Sequence, residues 1–294
     1  MVTHMDIRSE TNSAYKILAP KVWDSAVVFA SPHSGRDYYN TFKGQSILDP
    51  MTLRSSEDAY VDQLIDYLPE FGAPLLLAHS PRAFVDFNRS ADELDPAVVN
   101  GAQTRGQNPR ISSGLGVIPR VVANGRPIYR GKIPMQEAKD RLRIYWHPYH
   151  EALLRLLKAA KLRHGYSVLI DVHSMPNDAV STPSKLVTPP EIVVGDRHGS
   201  SASRALVEEV EACFANAGLR TARNTPFAGA FITQHYGRPS AKQHAIQIEI
   251  DRGIYLNEAQ VTPSDQFAET REKLRKAFEG IVRLGAPELP LAAE

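Results

Sequence analysis

The sequence predicts an α/β protein, a mixed and mostly parallel sheet with helices on both faces. Short apolar runs of strand length alternate along the chain with stretches whose apolar residues recur at helical spacing. The 294 residues are 43% hydrophobic and 23% charged, a globular balance able to bury a sizeable core. No repeat, low-complexity tract or linker divides them, so one domain spanning residues 1–294, with its core at about 20–285, is expected.

Ala26 to Ser31 (AVVFAS) reads as a buried strand, and Ser55-Ser56-Glu57-Asp58 then opens a helix carrying Val61, Leu64, Ile65 and Leu68 on one face. Pro74 to His79 and Ala83 to Asn88 are short strand candidates separated by a turn at Ser80-Pro81. A long helix begins near Pro134 and presents Leu142, Tyr145, Trp146, Tyr149, Leu153, Leu156 and Leu157, with a kink expected at Pro148. Ser167 to Val172 and Glu191 to Asp196 are apolar enough to be fully buried strands. Ser200 caps a helix with Leu206, Val210, Cys213 and Phe214 inward and Gly218 at its end. Ala245 to Ile250 alternates strictly, and a last helix from Pro263 buries Phe267, Leu274, Phe278, Ile281 and Val282 before a loose tail from Ala286. Two stretches lack a pattern, Asn100 to Arg130 and Asn224 to Pro239; the first is rich in Gly and Arg, including Arg105, and reads as a lid or binding loop.

Charge and cysteine usage narrow the function. Lys+Arg 34 against Asp+Glu 33 leaves a formal +1, which offers nucleic acid no basic surface. No apolar run is long enough to span a bilayer, and the start MVTHMDIRSETNSAYK has no apolar leader core, so a cytoplasmic protein is expected. The single cysteine, Cys213, excludes an internal disulfide and any CxxC site, so a metal would have His and carboxylate ligands.

Polar residues fall at predicted strand ends, where open α/β sheets place their sites: His33-Ser34, Asn88-Arg89, His173-Ser174 and Glu249. A hydrolytic zinc site needs about three His or carboxylate ligands, an open position and a nearby carboxylate base. His33, Asp58 or Glu57, His173 and Glu249 supply that set. Asp58 also fits a capping box after Ser55, and Gln247 with Glu249 also fits an exposed strand face. His147 and His150 read as helix-face residues, since neither HExxH nor HxxEH is present. GxSxG and GxxxxGK[ST] are absent, which leaves serine hydrolysis and nucleotide binding without a motif.

Pro32 to Gly35 (PHSG), Ser56 to Leu64 (SEDAYVDQL), Pro81 to Asp92 (PRAFVDFNRSAD), Tyr145 to His150 (YWHPYH), Asp171 to Ser174 (DVHS), Phe231 to Pro239 (FITQHYGRP) and Ile246 to Tyr255 (IQIEIDRGIY) together resemble the N-formylglutamate amidohydrolase family. The resemblance implies a phosphorylase/hydrolase-like fold, similar to zinc carboxypeptidases and aspartoacylase-like deacylases. It implies that His33, Asp58 and His173 hold Zn²⁺ or another divalent metal, with Glu57 the competitor for the carboxylate place. Glu249 matches the general base, and Asn88 and Arg89 the pair that grips a substrate carboxylate. Tyr236 and Arg238 are substrate or oxyanion contacts, and arginines of the 100–130 stretch, Arg130 among them, take a second carboxylate. The implied reaction is N-formyl-L-glutamate plus water to L-glutamate plus formate, a step of histidine catabolism. A carboxypeptidase-like or deacylase activity on another N-acyl amino acid and a non-catalytic metal-binding module are the alternatives.

Overall fold

The computed structural model describes residues 10–103, 108–181 and 188–286, so Arg105 and the tail beyond residue 286 lie outside the described residues. One eight-stranded sheet organises the chain: β1 (Glu10–Thr11), β2 (Tyr15–Leu18), β3 (Val27–Ser31), β4 (Leu75–Ala78), β5 (Ser167–Met175), β6 (Ile192–Gly195), β7 (Thr221–Arg223) and β8 (Gln243–Asp251). Their spatial order is β1-β2-β4-β3-β5-β8-β6-β7. β4, β3, β5 and β8 run parallel, while β2 and β6 are antiparallel to the strands that flank this centre. The helices are α1 (Asn40–Gln45), α2 (Pro50–Arg54), α3 (Val61–Ile65), α4 (Pro109–Ser112), α5 (Met135–Arg141), α6 (His147–His164), α7 (Arg204–Asn216), α8 (Phe231–Tyr236) and α9 (Phe267–Leu284).

The central strands are apolar on both sides because both faces are covered. Val28, Ala30, Leu76 and Leu169 pack with Leu153, Leu156 and Leu157 of α6. The alternate residues Val27, Phe29, Leu75 and Ile170 pack with Leu64 of α3, Phe214 of α7 and Leu274 and Phe278 of α9. Period-two alternation places Leu169, Asp171 and His173 of β5 on the α6 face, together with Ala245, Gln247 and Glu249 of β8. Asp171 pairs in register with Gln247, and His173 with Glu249. Polar groups thus replace the apolar packing at the carboxyl ends of two adjacent parallel strands.

Several local expectations change. Residues 83–88 form turns instead of a strand: the Phe84 and Val85 amides both return to the Pro81 carbonyl, and β4 already has β2 and β3 as its two neighbours. The helix expected to open at Ser55 is α3 and starts at Val61, after Tyr60 in a left-handed conformation (φ 63°), so Asp58 precedes it in a loop and its side chain caps nothing. Pro148 stands in the first turn of α6, directly after a π-helical turn over Leu142–Trp146, so its missing N–H falls where the hydrogen-bond ladder is already shifted. Ser203, not Ser200, stands at the start of α7, and Ser200 instead closes a turn onto Arg197. The last helix begins at Phe267, because Thr262–Pro263 pairs with Leu256–Asn257 in a small ribbon. β1, β2 and β7 are additional strands, and α8 lies inside the supposedly patternless stretch 224–239.

The turn-rich strap 81–89 has no ladder partner, so side chains hold it. Arg141 of α5 is 2% exposed and donates to the Phe84 carbonyl (3.0 Å), the Tyr129 hydroxyl (2.7 Å) and Gln45 Oε1 (3.0 Å). Its guanidinium carbon lies 4.2 Å from the Phe84 ring centroid. Arg141→Ala leaves the buried Phe84 carbonyl and Tyr129 hydroxyl without this donor and should cost about 3 kcal/mol. The expected result is a lower urea midpoint with an unchanged slope; an unmoved midpoint would show that the strap is held by its apolar packing alone.

Candidate active site

His33 stands two residues beyond β3, at the carboxyl end of the parallel centre. The chain there passes so close to the loop after β4 that a Cβ on Gly35 would sit 2.3 Å from the Ser80 carbonyl oxygen, which explains the glycine of PHSG. Asp58 is drawn to the same place by its own backbone, whose amide donates to the His33 carbonyl at 3.0 Å. His173 is the last residue but two of β5. The three side chains are almost wholly buried.

Their potential ligand atoms converge. His173 Nδ1 is 3.1 Å from His33 Nδ1 and 3.1 Å from Asp58 Oδ2, and His33 Nδ1 is 3.5 Å from the same oxygen. Behind each ring stands another carboxylate. His33 Nε2 lies 2.7 Å from Asp86 Oδ1, and His173 Nε2 lies 2.9 Å from Asp171 Oδ2. Burial opposes charge on Asp86, but His33 and Arg82 outweigh it and hold the carboxyl well below its usual range. Asp86 therefore accepts, the ring proton of His33 lies on Nε2, and a carboxylate behind His173 calls for the same tautomer. Two Nδ1 lone pairs and a carboxylate oxygen then face one point.

That arrangement fits a divalent cation. Bonds of about 2.0–2.1 Å at tetrahedral angles would set ligand atoms about 3.3 Å apart, close to the three separations present. His33, Asp58 and His173 are also the group of buried metal-ligating side chains found among the described residues. Without a cation, a proton serves instead: burial disfavours charge on His173, yet Asp171 and the hydrogen bonds to Asp171 and Asp58 push its pKa well above the usual value. Burial likewise works against the Asp58 carboxylate, but His173 and His33 hold its pKa well below the ordinary range. Arg252 secures the other Asp58 oxygen at 3.0 Å. Glu57 does not enter the cluster, since Arg54 occupies both its oxygens (3.0 and 3.1 Å).

The triad opens into a cavity of about 720 Å³ that Glu249, Gln247, Asn88, Arg82, Arg89, Arg110 and Arg252 also line. The polar face of β8 is buried, with Gln247 3% and Glu249 8% exposed. Burial, opposed by His173 and reinforced by Asp58, lifts the Glu249 carboxyl to about 7. Gln247 donates to Glu249 Oε1 at 2.8 Å, and the Ala230 amide fixes the other end of the Gln247 side chain at 3.2 Å. Arg89 is 4% exposed and donates to the Leu115 and Asn88 carbonyls, both at 2.9 Å. Among the described residues no carboxylate pairs with it, and burial lowers its pKa to about 10. Asn88 gives its side-chain oxygen to the Ile232 amide (2.8 Å).

Three residues expected at the site do not line this cavity. Tyr236 is buried with its hydroxyl on His150 Nδ1 (2.9 Å), Arg238 pairs through its backbone with Gln243, and Arg130 is exposed. Conversely, Asp86, Asp171, Arg82 and Arg252 were not singled out in the sequence. All four sit inside the strings PRAFVDFNRSAD, DVHS and IQIEIDRGIY, and Asp171, two residues before His173 on a strand, shares its face by alternation.

Comparison with known proteins places this geometry in context. The family model for N-formylglutamate amidohydrolase matches residues 25–256. The chain is 32% identical over 233 residues to an N-formylglutamate deformylase of Pseudomonas aeruginosa, covering 78% of this chain and 82% of that protein. It is 28% identical over 266 residues to one of Pseudomonas putida, covering 88% and 93%. The crystal structure of an N-formylglutamate amidohydrolase from Ralstonia eutropha superposes with a TM-score of 0.86 at 31% identity, covering 93% of this chain and 99% of that one. The chain belongs to the N-formylglutamate amidohydrolase family.

Proposed function

We propose that the chain hydrolyses the formyl amide of N-formyl-L-glutamate, releasing formate and L-glutamate, with Zn²⁺ held by His33, Asp58 and His173. The observation that carries this reading is the buried acceptor triad opening into a cavity that holds both a carboxyl poised near neutrality and an arginine that has no anionic partner among the described residues. Two imidazoles and one carboxylate are the donor set of hydrolytic zinc. When bound, the ion supplies Lewis acidity and brings water to a pKa of about 7.

The chain's own groups do the rest. Glu249, with one oxygen fixed by Gln247, takes a proton from the attacking water and returns it to the amide nitrogen as the C–N bond breaks. Water adds to the formyl carbon, so the products are formate and the amine. Arg82 lines the cavity and, among the described residues, bonds Asp86 through Nε (3.0 Å) with no protein partner for its terminal nitrogens; we give it the oxyanion role that the sequence suggested for Arg238. Arg252 is committed to Asp58, Ser174 and the Ser55 carbonyl. Arg89 binds the α-carboxylate and Arg110, exposed at the cavity wall, meets the side-chain carboxylate. A cytoplasmic location, in keeping with the single cysteine, belongs to the same proposal.

The direct test is formate release from a panel of N-formyl amino acids: N-formylglutamate should lead on kcat/KM, and a leading apolar derivative would remove the second carboxylate from the reading. Glu249→Gln keeps the side-chain shape but cannot accept a proton, so kcat should fall about 10²–10⁴-fold with metal content unchanged; activity within a few-fold of the parent would assign proton transfer elsewhere. For the metal, Asp58→Ala should lower zinc affinity far more than Glu57→Ala in chelator competition. The pH dependence has a definite sign. Since the metal-free His173 holds its proton to a pKa well above the usual value, binding must expel it, and zinc affinity should rise from pH about 6 to about 8. An affinity independent of pH would remove His173 from the ligand set.

A further inference from the structure

The helix string YWHPYH and the tyrosine of FITQHYGRP have no part in the reaction as described, and His150 and Tyr236 are 6% and 3% exposed behind the cavity wall. Tyr236 touches His150, and His150 with its helix neighbour Trp146 touches the strap that carries Asn88 and Arg89. Its carbonyls are buried outside any ladder and need donors. His150 Nε2 lies 2.9 Å from the Phe87 carbonyl, and the Trp146 indole N–H donates to the Arg89 carbonyl at 3.0 Å. The two rings stand one helical turn apart, 4.0 Å between centroids, so a single helix face grips the backbone on both sides of Asn88.

The hydrogen-bond directions follow from the partners. A carbonyl only accepts, so the His150 proton lies on Nε2, and Nδ1 accepts from the Tyr236 hydroxyl at 2.9 Å. The tautomer requires a neutral ring, and burial keeps the imidazole so by lowering its pKa to about 3. Tyr236 ends α8, whose first turn is held by Asn88 Oδ1 on the Ile232 amide at 2.8 Å. α6, the strap and α8 thus close one ring of hydrogen bonds around Asn88. Arg89 is fixed in turn by that backbone, since one of its guanidinium nitrogens donates to the Asn88 carbonyl.

We propose that His150, with Trp146 and Tyr236, is a positioning unit: it sets the place of the Asn88–Arg89 backbone and through it the direction in which Arg89 meets the substrate's α-carboxylate. This rests on the reading of Arg89 as the carboxylate ligand. A residue that only stabilised the fold would change thermal stability and leave the folded enzyme's choice between substrates untouched.

The test compares N-formylglutamate with its α-carboxamide on the zinc-loaded full chain. His150→Leu should raise KM for N-formylglutamate about tenfold, with kcat and zinc content nearly unchanged, and should scarcely move KM for the carboxamide. His150→Gln, whose amide N–H replaces the donor to the Phe87 carbonyl, should restore most of the loss. If His150→Leu fails to fold, Trp146→Phe, which deletes the bond to the Arg89 carbonyl, and Tyr236→Phe, which deletes the hydroxyl shared by His150 Nδ1 and the His150 carbonyl, should show the same selective rise at about two- to fivefold. Arg89→Ala is the reference. If it treats both substrates alike, the carboxylate reading falls and the positioning role with it. Selectivity in Arg89→Ala, but equal or absent effects on the two substrates in the helix variants, would overturn the positioning role alone.

Discussion

Two imidazole lone pairs and a carboxylate oxygen cannot share one buried point unless positive charge sits among them, and much of this fold serves to make them do so. Each ring is held from behind by an anion, Asp86 for His33 and Asp171 for His173, which fixes both tautomers with Nδ1 inward. Those anions are themselves restrained. Asp86 also accepts from Arg82 Nε at 3.0 Å and from the Asn88 amide at 2.8 Å, so the same carboxylate orients a ligand, a cavity-lining cation and the start of the Asn88–Arg89 strap. A change at Asp86 would therefore act on His33, Arg82 and the strap together.

The sheet supplies the distances. His33 and Asp58 come from the connection after β3, His173 from β5 and Glu249 from β8, and these strands are three consecutive parallel neighbours. In-register pairing of His173 with Glu249 and of Asp171 with Gln247 stacks an orienting row directly beneath a reacting row. Alternation turns both rows toward α6, so the polar cluster interrupts one core, while the other, under α3, α7 and α9, is packed from aliphatic and aromatic side chains. Burial then has two consequences at one site. It raises the affinity of Glu249 for a proton into the range a base needs, and it leaves Arg89 a desolvated cation that an anionic ligand can complete.

Irregular backbone bears much of the remaining chemistry. The strap 81–89 contributes Arg82, Asp86, Asn88 and Arg89 from turns, and its carbonyls are met by Arg141, His150 and Trp146 from the helical run across one face. A regular strand would send the neighbours Asn88 and Arg89 to opposite sides, whereas here both line the cavity. The π-helical turn at Leu142–Trp146 lies next to the two residues that grip this strap, a common position for such turns relative to functional segments.

The sequence by itself determined the layered architecture, because burial periodicity is local: continuous apolar runs could only be strands covered on both faces, and the stripes of α6, α7 and α9 only helices on a sheet. It also exposed His33, His173 and Glu249, since a polar residue at the end of an apolar run stands out. What tertiary structure decided was partnership. Asp58 and Glu57 are adjacent and alike, and only the loop geometry before α3 turns one to the histidines and leaves the other to Arg54. Ala83 to Asn88 has strand composition, yet the neighbours of β4 were already taken and the segment folded into turns. Arg252 gave no signal because a buried charge is recognisable only through the opposite charge that meets it, and its partner Asp58 lies 194 residues away, whereas Asp171 could have been found from its place on the same strand face as His173. Tyr236, read as a ligand contact, faces His150 instead, for the direction of a side chain at the end of a short helix depends on where that helix docks.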